Sequence, residues 1–221
     1  MSDTTTNQVE IVLIRHGKTE GNKEKRYIGR TDQPLSEEGI AGIKENLGRY
    51  PSVEKVYASP MKRTRQTAEL IYPGQASELV DGLREMDMGV FEGKNHAELK
   101  NRPSYILWVA TRGKISIPGG ESMKDFGKRT MDAFTQVLGD MQAEGIKRSA
   151  VVAHGGTIHL NSTVGKGSEL RQVYSAFIGS ESDSLSKIVF NTFDKKTEYV
   201  ASVTGKVYSG VGELDKILSL I

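Results

Sequence analysis

The sequence predicts an α/β fold of three layers, in which helices cover both faces of a mostly parallel, mixed sheet. Short apolar runs of strand length alternate with longer amphipathic segments along the chain, and this alternation is typical of parallel sheets. Two of the runs, residues 11–14 and 150–153, lead into a histidine that is followed by glycine. Open α/β sheets bind ligands at the carboxyl ends of their strands, so we expect a functional site where these runs end.

The first half of the chain is predicted to hold three strands and two helices. Ser36 is suited to cap the first helix, and the acidic residues Glu37 and Glu38 favour its positive end. Pro73 and Gly74 end the second helix. In chain order, the predicted elements are a strand over Val9–Ile14, a helix over Glu37–Arg49, a strand over Val53–Ala58, a helix over Met61–Ile71 and a short strand near Glu78–Val80.

The second half is predicted to contain an irregular segment, a long helix and further strands. We expect one domain over residues 1–221, with a small cap-like insertion at about 86–120. The predicted elements are short helices around Ala97–Lys100 and Pro103–Ala110, a long helix over Ser122–Glu144, a strand over Ser149–Ala153, a helix that starts over Thr157–Val164, a hairpin of Lys187–Thr192 with Glu198–Val203, and a loop with a short terminal helix over 205–221.

Composition excludes several classes of function. Thirty basic and 28 acidic residues nearly cancel, and the net charge of +2 predicts no nucleic-acid partner. The chain has no cysteine, which excludes disulfides, thiolate metal sites and a cysteine nucleophile. No apolar run reaches the roughly 20 residues that span a membrane, and residues 1–10 lack the apolar core of a signal peptide. These features predict a cytoplasmic protein without membrane contact.

Four ordered segments accompany the two strand-end histidines. Residues 15–22 read RHGKTEGN, residues 32–39 read DQPLSEEG, residues 59–68 read SPMKRTRQTA, and Leu83-Arg84-Glu85 is followed by Gly89 and Glu92-Gly93. With His154-Gly155, these segments resemble the histidine phosphatase superfamily, the phosphoglycerate mutase-like group. The first fits the opening pattern Arg-His-Gly-x-Thr-x-x-Asn at every fixed position. The resemblance spans roughly residues 9–204 and implies a phosphoglycerate mutase-like fold.

The resemblance implies a phosphomonoesterase that works through a phosphohistidine and needs neither metal nor cofactor. It assigns the nucleophile to His16, the second histidine of the site to His154 and the general acid to Glu85. The chemistry suits these residue types, because a histidine with its unperturbed pKa of about 6.5 is largely neutral at pH 7 and free to attack. An acid is useful here only if its pKa is raised toward neutrality. Asp87 is the alternative acid.

The remaining candidate residues would bind the phosphate or the rest of the substrate. Arg15 and Arg63 supply forked donors that match phosphate, and we expect Arg15 to be shielded from solvent because it closes an apolar strand. Neutral hydrogen bonds would come from Thr19, from Asn22 and from the backbone at Gly155. Two residues are candidates for the substrate pocket, His96 and Lys94. Glu92 and His159 are interpreted as structural.

Two other functions remain open from the sequence. Mutases of the family carry a longer basic insertion after the acid segment, so the short stretch from Gly93 to Gly120 favours hydrolysis over a cofactor-dependent phosphoglycerate mutase. A non-catalytic binding module on the same fold would be expected to lack a catalytic residue, and none is missing here. The partner is expected to be a small phosphorylated molecule, and a homodimer is left open. Sugar phosphates, bisphosphorylated glycolytic acids, α-ribazole phosphate and phosphoprotein all remain candidate substrates.

Overall fold

One seven-stranded mixed sheet runs through the molecule. The computed structural model describes residues 7–158 together with the backbone of residues 185–193, 196–203 and 206–209. The strands are β1 (Asn7–Arg15), β2 (Lys55–Ala58), β3 (Ser77–Leu79), β4 (Arg148–Ala153), β5 (Leu185–Phe193), β6 (Lys196–Val203) and β7 (Lys206–Ser209). Their order across the sheet is β3-β2-β4-β1-β5-β6-β7.

The central strands β2, β4 and β1 are buried on both faces of the sheet. Strands β3, β2, β4 and β1 pair in parallel, whereas β5, β6 and β7 continue the sheet from β1 in antiparallel pairs. Alternate residues of β1 enter different cores: Ile11 and Leu13 pack into one, and Val12 and Ile14 into the other. A strand that is covered on both faces needs apolar residues at every position, which explains the continuous apolar run. The predicted three-layer α/β fold is confirmed.

The helices lie on both sides of this sheet. On one face, Ile43 of α2 and Ala68 of α3 pack into the core that holds Val12. On the other, Phe134 and Val137 of α6 pack into the core that holds Ile11. The helices are α1 (Glu20–Lys23), α2 (Glu37–Glu45), α3 (Lys62–Ile71), α4 (His96–Leu99), α5 (Pro103–Ala110), α6 (Met123–Glu144) and α7 (Gly155–Ile158).

The expected end signals of the long helices are present. The Ser36 hydroxyl accepts a hydrogen bond from the Gly39 amide at 3.1 Å and caps α2. Gly145 ends α6 in the left-handed conformation, with φ of 70°, which glycine adopts at little cost. Helix α2 stops at Glu45, four residues before the predicted end, and a 3₁₀ turn over Leu47–Arg49 follows. The Asn46 side chain donates to the Gly42 carbonyl at 2.8 Å and satisfies it as the helix ends.

The end of the chain differs from the sequence prediction. Residues 206–209 form β7, paired antiparallel with β6, so the expected loop was wrong there. Four residues were too short a run for the alternation to be read as a strand. The predicted terminal helix after residue 209 and the continuation of α7 beyond Ile158 lie outside the described residues. No helix among the described residues is long and apolar enough to cross a bilayer.

Candidate active site

The sheet brings His16 and His154 together at the carboxyl ends of neighbouring strands. Arg15 at the end of β1 pairs with Ala153 at the end of β4, and the His16 amide donates to the Ala153 carbonyl at 3.0 Å. The next residue on each strand is therefore a histidine. Their ring centroids lie 5.2 Å apart, with the planes inclined at 63°. Both side chains are buried, His16 at 8% and His154 at 0% exposure.

His16 is held as a neutral ring with one nitrogen left available. Its Nδ1 lies 2.7 Å from the Gly17 carbonyl oxygen. Because a carbonyl only accepts, Nδ1 carries the proton, and Nε2 keeps a lone pair. Burial, and then the positive charges of Arg63 and Arg15, lowers the pKa of His16 to about 3. The Gly17 amide donates in turn to Thr67 Oγ1 at 3.1 Å, which fixes the residue that holds the ring.

His154 takes the other tautomer. The Arg63 Nε–H donates to His154 Nδ1 at 3.2 Å, so the ring proton is on Nε2 and donates to Ser59 Oγ at 2.8 Å. Burial, followed by the charges of His16 and Arg63, holds the pKa of His154 well below its ordinary value. Ser59 was not identified as a site residue from the sequence. Its position directly after β2, beside β4 in the sheet, was the available signal.

Arg63 is the most constrained cation of the site. Its side chain is only 1% exposed, and its Nη1 and Nη2 atoms donate to the carbonyls of Thr31 at 2.8 Å and Gly29 at 3.0 Å. Burial lowers the pKa of Arg63, and the nearby charge of Glu85 opposes that shift. A guanidinium has five N–H groups, so each Nη has a second hydrogen beyond these bonds.

Glu92 holds the loop that orients Arg63. Its carboxylate accepts from the amides of Gly29 at 3.0 Å and Thr31 at 3.0 Å, and from the Thr31 hydroxyl at 2.7 Å. The Arg30 amide adds a longer bond of 3.3 Å. The carbonyls of the same loop accept from Arg63. This arrangement agrees with the structural interpretation of Glu92.

Arg15 is exposed, and the expectation that it would be shielded was wrong. It is the last residue of β1, and its guanidinium extends beyond the sheet edge beside Gly155. A Cβ on residue 155 would lie 3.3 Å from Arg15 Nε, so glycine leaves that side of the guanidinium uncovered. Arg15 nevertheless lies close enough to lower the pKa of His16.

Glu85 comes to the same place from the segment after β3. Its Oε2 accepts from the Gly156 amide at 3.0 Å, and its Oε1 accepts from the Met86 amide at 2.9 Å. Burial raises the pKa of Glu85, although these two amides and the charges of Arg63 and Arg15 act against the shift. A Cβ on residue 156 would overlap Oε1 of Glu85. The backbone at Gly156 therefore both holds the carboxyl and leaves room for it.

Thr19 and Asn22 bond to each other at the start of α1. The Asn22 Oδ1 accepts from the amide and the hydroxyl of Thr19, at 3.0 and 3.1 Å, and the Thr19 hydroxyl accepts from the Asn22 amide at 3.3 Å. Thr19 is fully buried. These bonds commit the Thr19 hydroxyl to shaping the turn after His16. Phosphate contact by Thr19 and Asn22 stays a prediction.

The other candidate side chains already have hydrogen-bond or ion-pair partners within the protein. Asp87 ion-pairs with Arg30 Nε at 2.8 Å and accepts from the Gly89 amide at 3.0 Å. His96 is exposed, with its Nδ1 at 3.0 Å from the Tyr105 hydroxyl, and Lys94 Nζ donates to the Val90 carbonyl at 2.9 Å. A pocket role for His96 and Lys94 stays a prediction. His159 lies outside the described residues.

Comparison with known proteins identifies the family. The histidine phosphatase superfamily (branch 1) matches residues 11–198. The chain belongs to this superfamily. A metal-independent phosphoserine phosphatase of Arabidopsis thaliana is 34% identical over 160 residues, which cover 67% of this chain and 65% of the relative. A broad-specificity phosphatase of Saccharomyces cerevisiae is 32% identical over 164 residues, which cover 70% and 69% of the two chains.

Solved structures of other proteins share the same fold. A phosphoglycerate mutase from Thermus thermophilus is 30% identical, with a TM-score of 0.57 and coverage of 86% of this chain and 96% of that one. An α-ribazole phosphatase from Shigella flexneri is 22% identical, with a TM-score of 0.68 and coverage of 86% and 93%, and this likeness shows the fold alone. The chain spans about two thirds of the length of the phosphatases from Arabidopsis and yeast.

Proposed function

We propose that the protein is a metal-independent phosphomonoesterase that hydrolyses a small phosphorylated metabolite through a phosphohistidine on His16. The observation that carries the proposal is the Nδ1–H bond of His16 to the Gly17 carbonyl at 2.7 Å. It leaves Nε2 as a lone pair on a neutral ring at the carboxyl edge of the sheet. A nucleophile prepared in this way needs no base to activate it.

The reaction proceeds in two steps. In the first, His16 Nε2 forms a bond to phosphorus as the ester P–O bond breaks, and Glu85 gives its proton to the departing alkoxide. In the second, the Glu85 carboxylate takes a proton from water, whose oxygen attacks phosphorus. The P–Nε2 bond then breaks, inorganic phosphate leaves, and His16 and Glu85 return to their starting protonation states. The raised pKa of Glu85 suits a group that is acid first and base second.

Charge on the phosphoryl oxygens is balanced by fixed cations. Arg15 and Arg63 supply the positive charge. The backbone N–H at Gly155 and the side-chain amide of Asn22 are proposed as neutral donors. His154 carries its proton on Nε2, and this N–H donates a hydrogen bond to Ser59 Oγ. Contact with a phosphoryl oxygen therefore requires that this donor turn from Ser59 to the substrate. Among residues that the structure describes, no group of three or more carboxylates and histidines is placed to hold a metal ion.

Mutase activity is the second candidate, because relatives are named phosphoglycerate mutases. Both activities use the same phosphohistidine, and they differ in what accepts the phosphoryl group. The stretch from Gly93 to Gly120 contains only the short helices α4 and α5. We propose that water is the acceptor. Incubation with 3-phosphoglycerate and a bisphosphoglycerate primer is expected to give inorganic phosphate and little 2-phosphoglycerate, and rapid interconversion of the two esters would contradict hydrolysis.

The proposal is tested by trapping the intermediate. A panel of labelled phosphomonoesters that includes phosphoserine is incubated with the protein and quenched, with and without chelator. We expect protein-bound label that is acid-labile and base-stable, formed at the same rate when chelator is present. His16→Ala should abolish the label, whereas the control Lys128→Ala, at an exposed position of α6, should retain it. Label that persists in His16→Ala, or a rate that only added divalent metal restores, would overturn the proposal.

A further inference from the structure

Arg129 of α6 donates hydrogen bonds to the backbone of the segment that carries Glu85. Its Nη1 donates to the carbonyls of Gly82 at 2.9 Å and Arg84 at 3.0 Å, and its Nη2 donates to the carbonyl of Glu85 itself at 3.4 Å. Three acceptors within four residues thus face one guanidinium. The planar fork of arginine is the side chain that can satisfy several fixed acceptors at once.

Glu121 completes the arrangement and fixes Arg129 from the other side. Arg129 Nε donates to Oε1 of Glu121 at 2.9 Å, and Nη2 donates to Oε2 at 2.8 Å. Oε2 also accepts from the Asp87 amide at 2.9 Å, so Glu121 holds the chain two residues beyond Glu85. Burial would raise the pKa of Glu121, but the bonds from Arg129 and the Asp87 amide hold it below its ordinary value.

The number of hydrogen bonds that Arg129 makes excludes a direct contact with the phosphate. A guanidinium has five N–H groups, and five acceptor contacts are present: two on Nη1, two on Nη2 and one on Nε. Arg129 therefore has no donor to offer a phosphate. Its hydrogen bonds reach the site through the backbone of residues 82–87, and its charge helps to lower the pKa of His154.

We propose that Arg129 and Glu121 are positioning residues that set the distance of the Glu85 carboxyl from the reacting oxygen. The inference rests on the proposed function of Glu85 as proton donor. Glu85 is held at three points: Arg129 bonds its backbone carbonyl, and the amides of Gly156 and Met86 bond its carboxylate. Releasing the first point lets the carboxyl turn away from the leaving group. Attack by His16 is unaffected, because His16 is anchored through Gly17 and Thr67.

Arg129→Lys is the variant that separates geometry from charge. Lysine keeps the positive charge but lacks the planar fork, so it cannot reproduce the five bonds. Lys128→Arg, one position earlier on α6, is the matched control, because Lys128 is exposed and pairs only with Asp132 among the described residues. Glu121→Gln gives a second, milder variant, since an amide oxygen still accepts from Arg129 but its other terminus cannot. Thermal unfolding checks that each variant is folded.

The measurement compares kcat/KM for an alkyl phosphate and for p-nitrophenyl phosphate. Nitrophenolate leaves without protonation, so only the alkyl ester depends on a well-placed acid. We expect Arg129→Lys to slow the alkyl ester by about 10-fold or more, within the range that general acid catalysis supplies, and p-nitrophenyl phosphate by less than about 2-fold. Glu121→Gln should show the same selectivity at smaller size, and Lys128→Arg none. Equal losses on both esters would overturn the positioning role.

A second readout does not depend on turnover. The Glu85 carboxyl is titrated by ¹³C NMR in the wild-type protein and in Arg129→Lys. Loss of the Arg129 hydrogen bonds exposes the Glu85 carboxyl to water, so its pKa should fall toward the ordinary value. An unchanged Glu85 pKa would overturn the inference. A wild-type protein that hydrolyses neither ester would contradict the proposed function instead, and the titration would still decide the role of Arg129.

Discussion

Burial shifts the pKa values of the proposed nucleophile, His16, and the proposed acid, Glu85, in opposite directions. It disfavours the charged form of any group, so it lowers the pKa of His16 to about 3 and raises the pKa of Glu85. The two shifts favour the neutral form of the proposed nucleophile and the neutral, proton-bearing form of the proposed acid. The hydrogen bond of each residue then fixes the atom that reacts: Nε2 on His16 because Nδ1 is bonded to Gly17, and the carboxyl of Glu85 at the Gly156 amide.

Glu85→Gln tests the acid at this scale. The amide keeps an acceptor for the Gly156 amide but has no proton to give. We expect kcat/KM to fall by about 10²–10⁴-fold for an alkyl phosphate and hardly at all for p-nitrophenyl phosphate. In the wild-type protein, the rate on the alkyl ester should fall as rising pH removes the Glu85 proton, and this alkaline limb should vanish in the variant. Equal losses on both esters would point to a structural role for Glu85 and make Asp87 the next candidate.

The sequence alone was sufficient to identify candidate site residues that directly follow a predicted strand. His16 and His154 could be identified because each follows an apolar strand, and the family pattern added Arg63 and Glu85. Ser59, Thr67 and Arg129 were missed as site residues. Their contacts join positions 44 to 95 residues apart, such as His154 with Ser59 and Arg129 with Glu85, and only the packed fold determines these pairs.

At the scale of elements, the loop 29–31 belongs to no helix or strand, yet both its amides and its carbonyls are bonded to side chains of the site. Glu92 satisfies its amides, and its carbonyls satisfy Arg63. A loop that makes both sets of bonds places a buried cation without a helix or strand. The sequence pattern of Glu92 before Gly93 gave no sign of this partner, because the loop lies about 60 residues earlier in the chain.

Glu92→Ala should therefore weaken phosphate binding as well as the fold. The amides of Arg30 and Thr31 are exposed and can bond to water instead, but the amide of buried Gly29 loses its acceptor, which costs about 1–3 kcal/mol. We expect the Kd for inorganic phosphate, measured by calorimetry, to rise by about 10-fold as Arg63 loses its orientation. Glu92→Gln should lie between Glu92→Ala and wild type. The control Glu38→Gln breaks an exposed pair with Lys18 and should change neither Kd nor Tm, and a Tm drop with unchanged phosphate affinity would contradict the link to Arg63.

At the scale of the whole molecule, the sequence indicated the alternation of strands and helices but not their arrangement. The order β3-β2-β4-β1-β5-β6-β7 places the strands of the two histidines next to each other, although more than 130 residues separate them. The strand β7 was too short to be recognised. The prediction of a single domain with a cap-like insertion stays a prediction.

The buried histidines should make the protein sensitive to mild acid. The pKa of His16 is 6.5 ordinarily and about 3 in the fold, so the unfolded state binds more protons and stability falls as pH drops from 6.5 toward 3. Between pH 7 and 5.5 this single group removes about 1 kcal/mol from the free energy of unfolding. Urea unfolding of His16→Gln should show a loss smaller by that amount. An identical pH dependence in His16→Gln and wild type would contradict a depressed pKa.

The register of the two central strands sets the distance between the two histidine rings. His16 and His154 follow residues that are paired in the ladder, so the separation of their rings follows from the spacing of neighbouring strands, about 4.8 Å, rather than from contacts between flexible loops. Warming that loosens the surface leaves this spacing unchanged as long as β1 and β4 stay paired. The two rings therefore keep this distance until β1 and β4 separate.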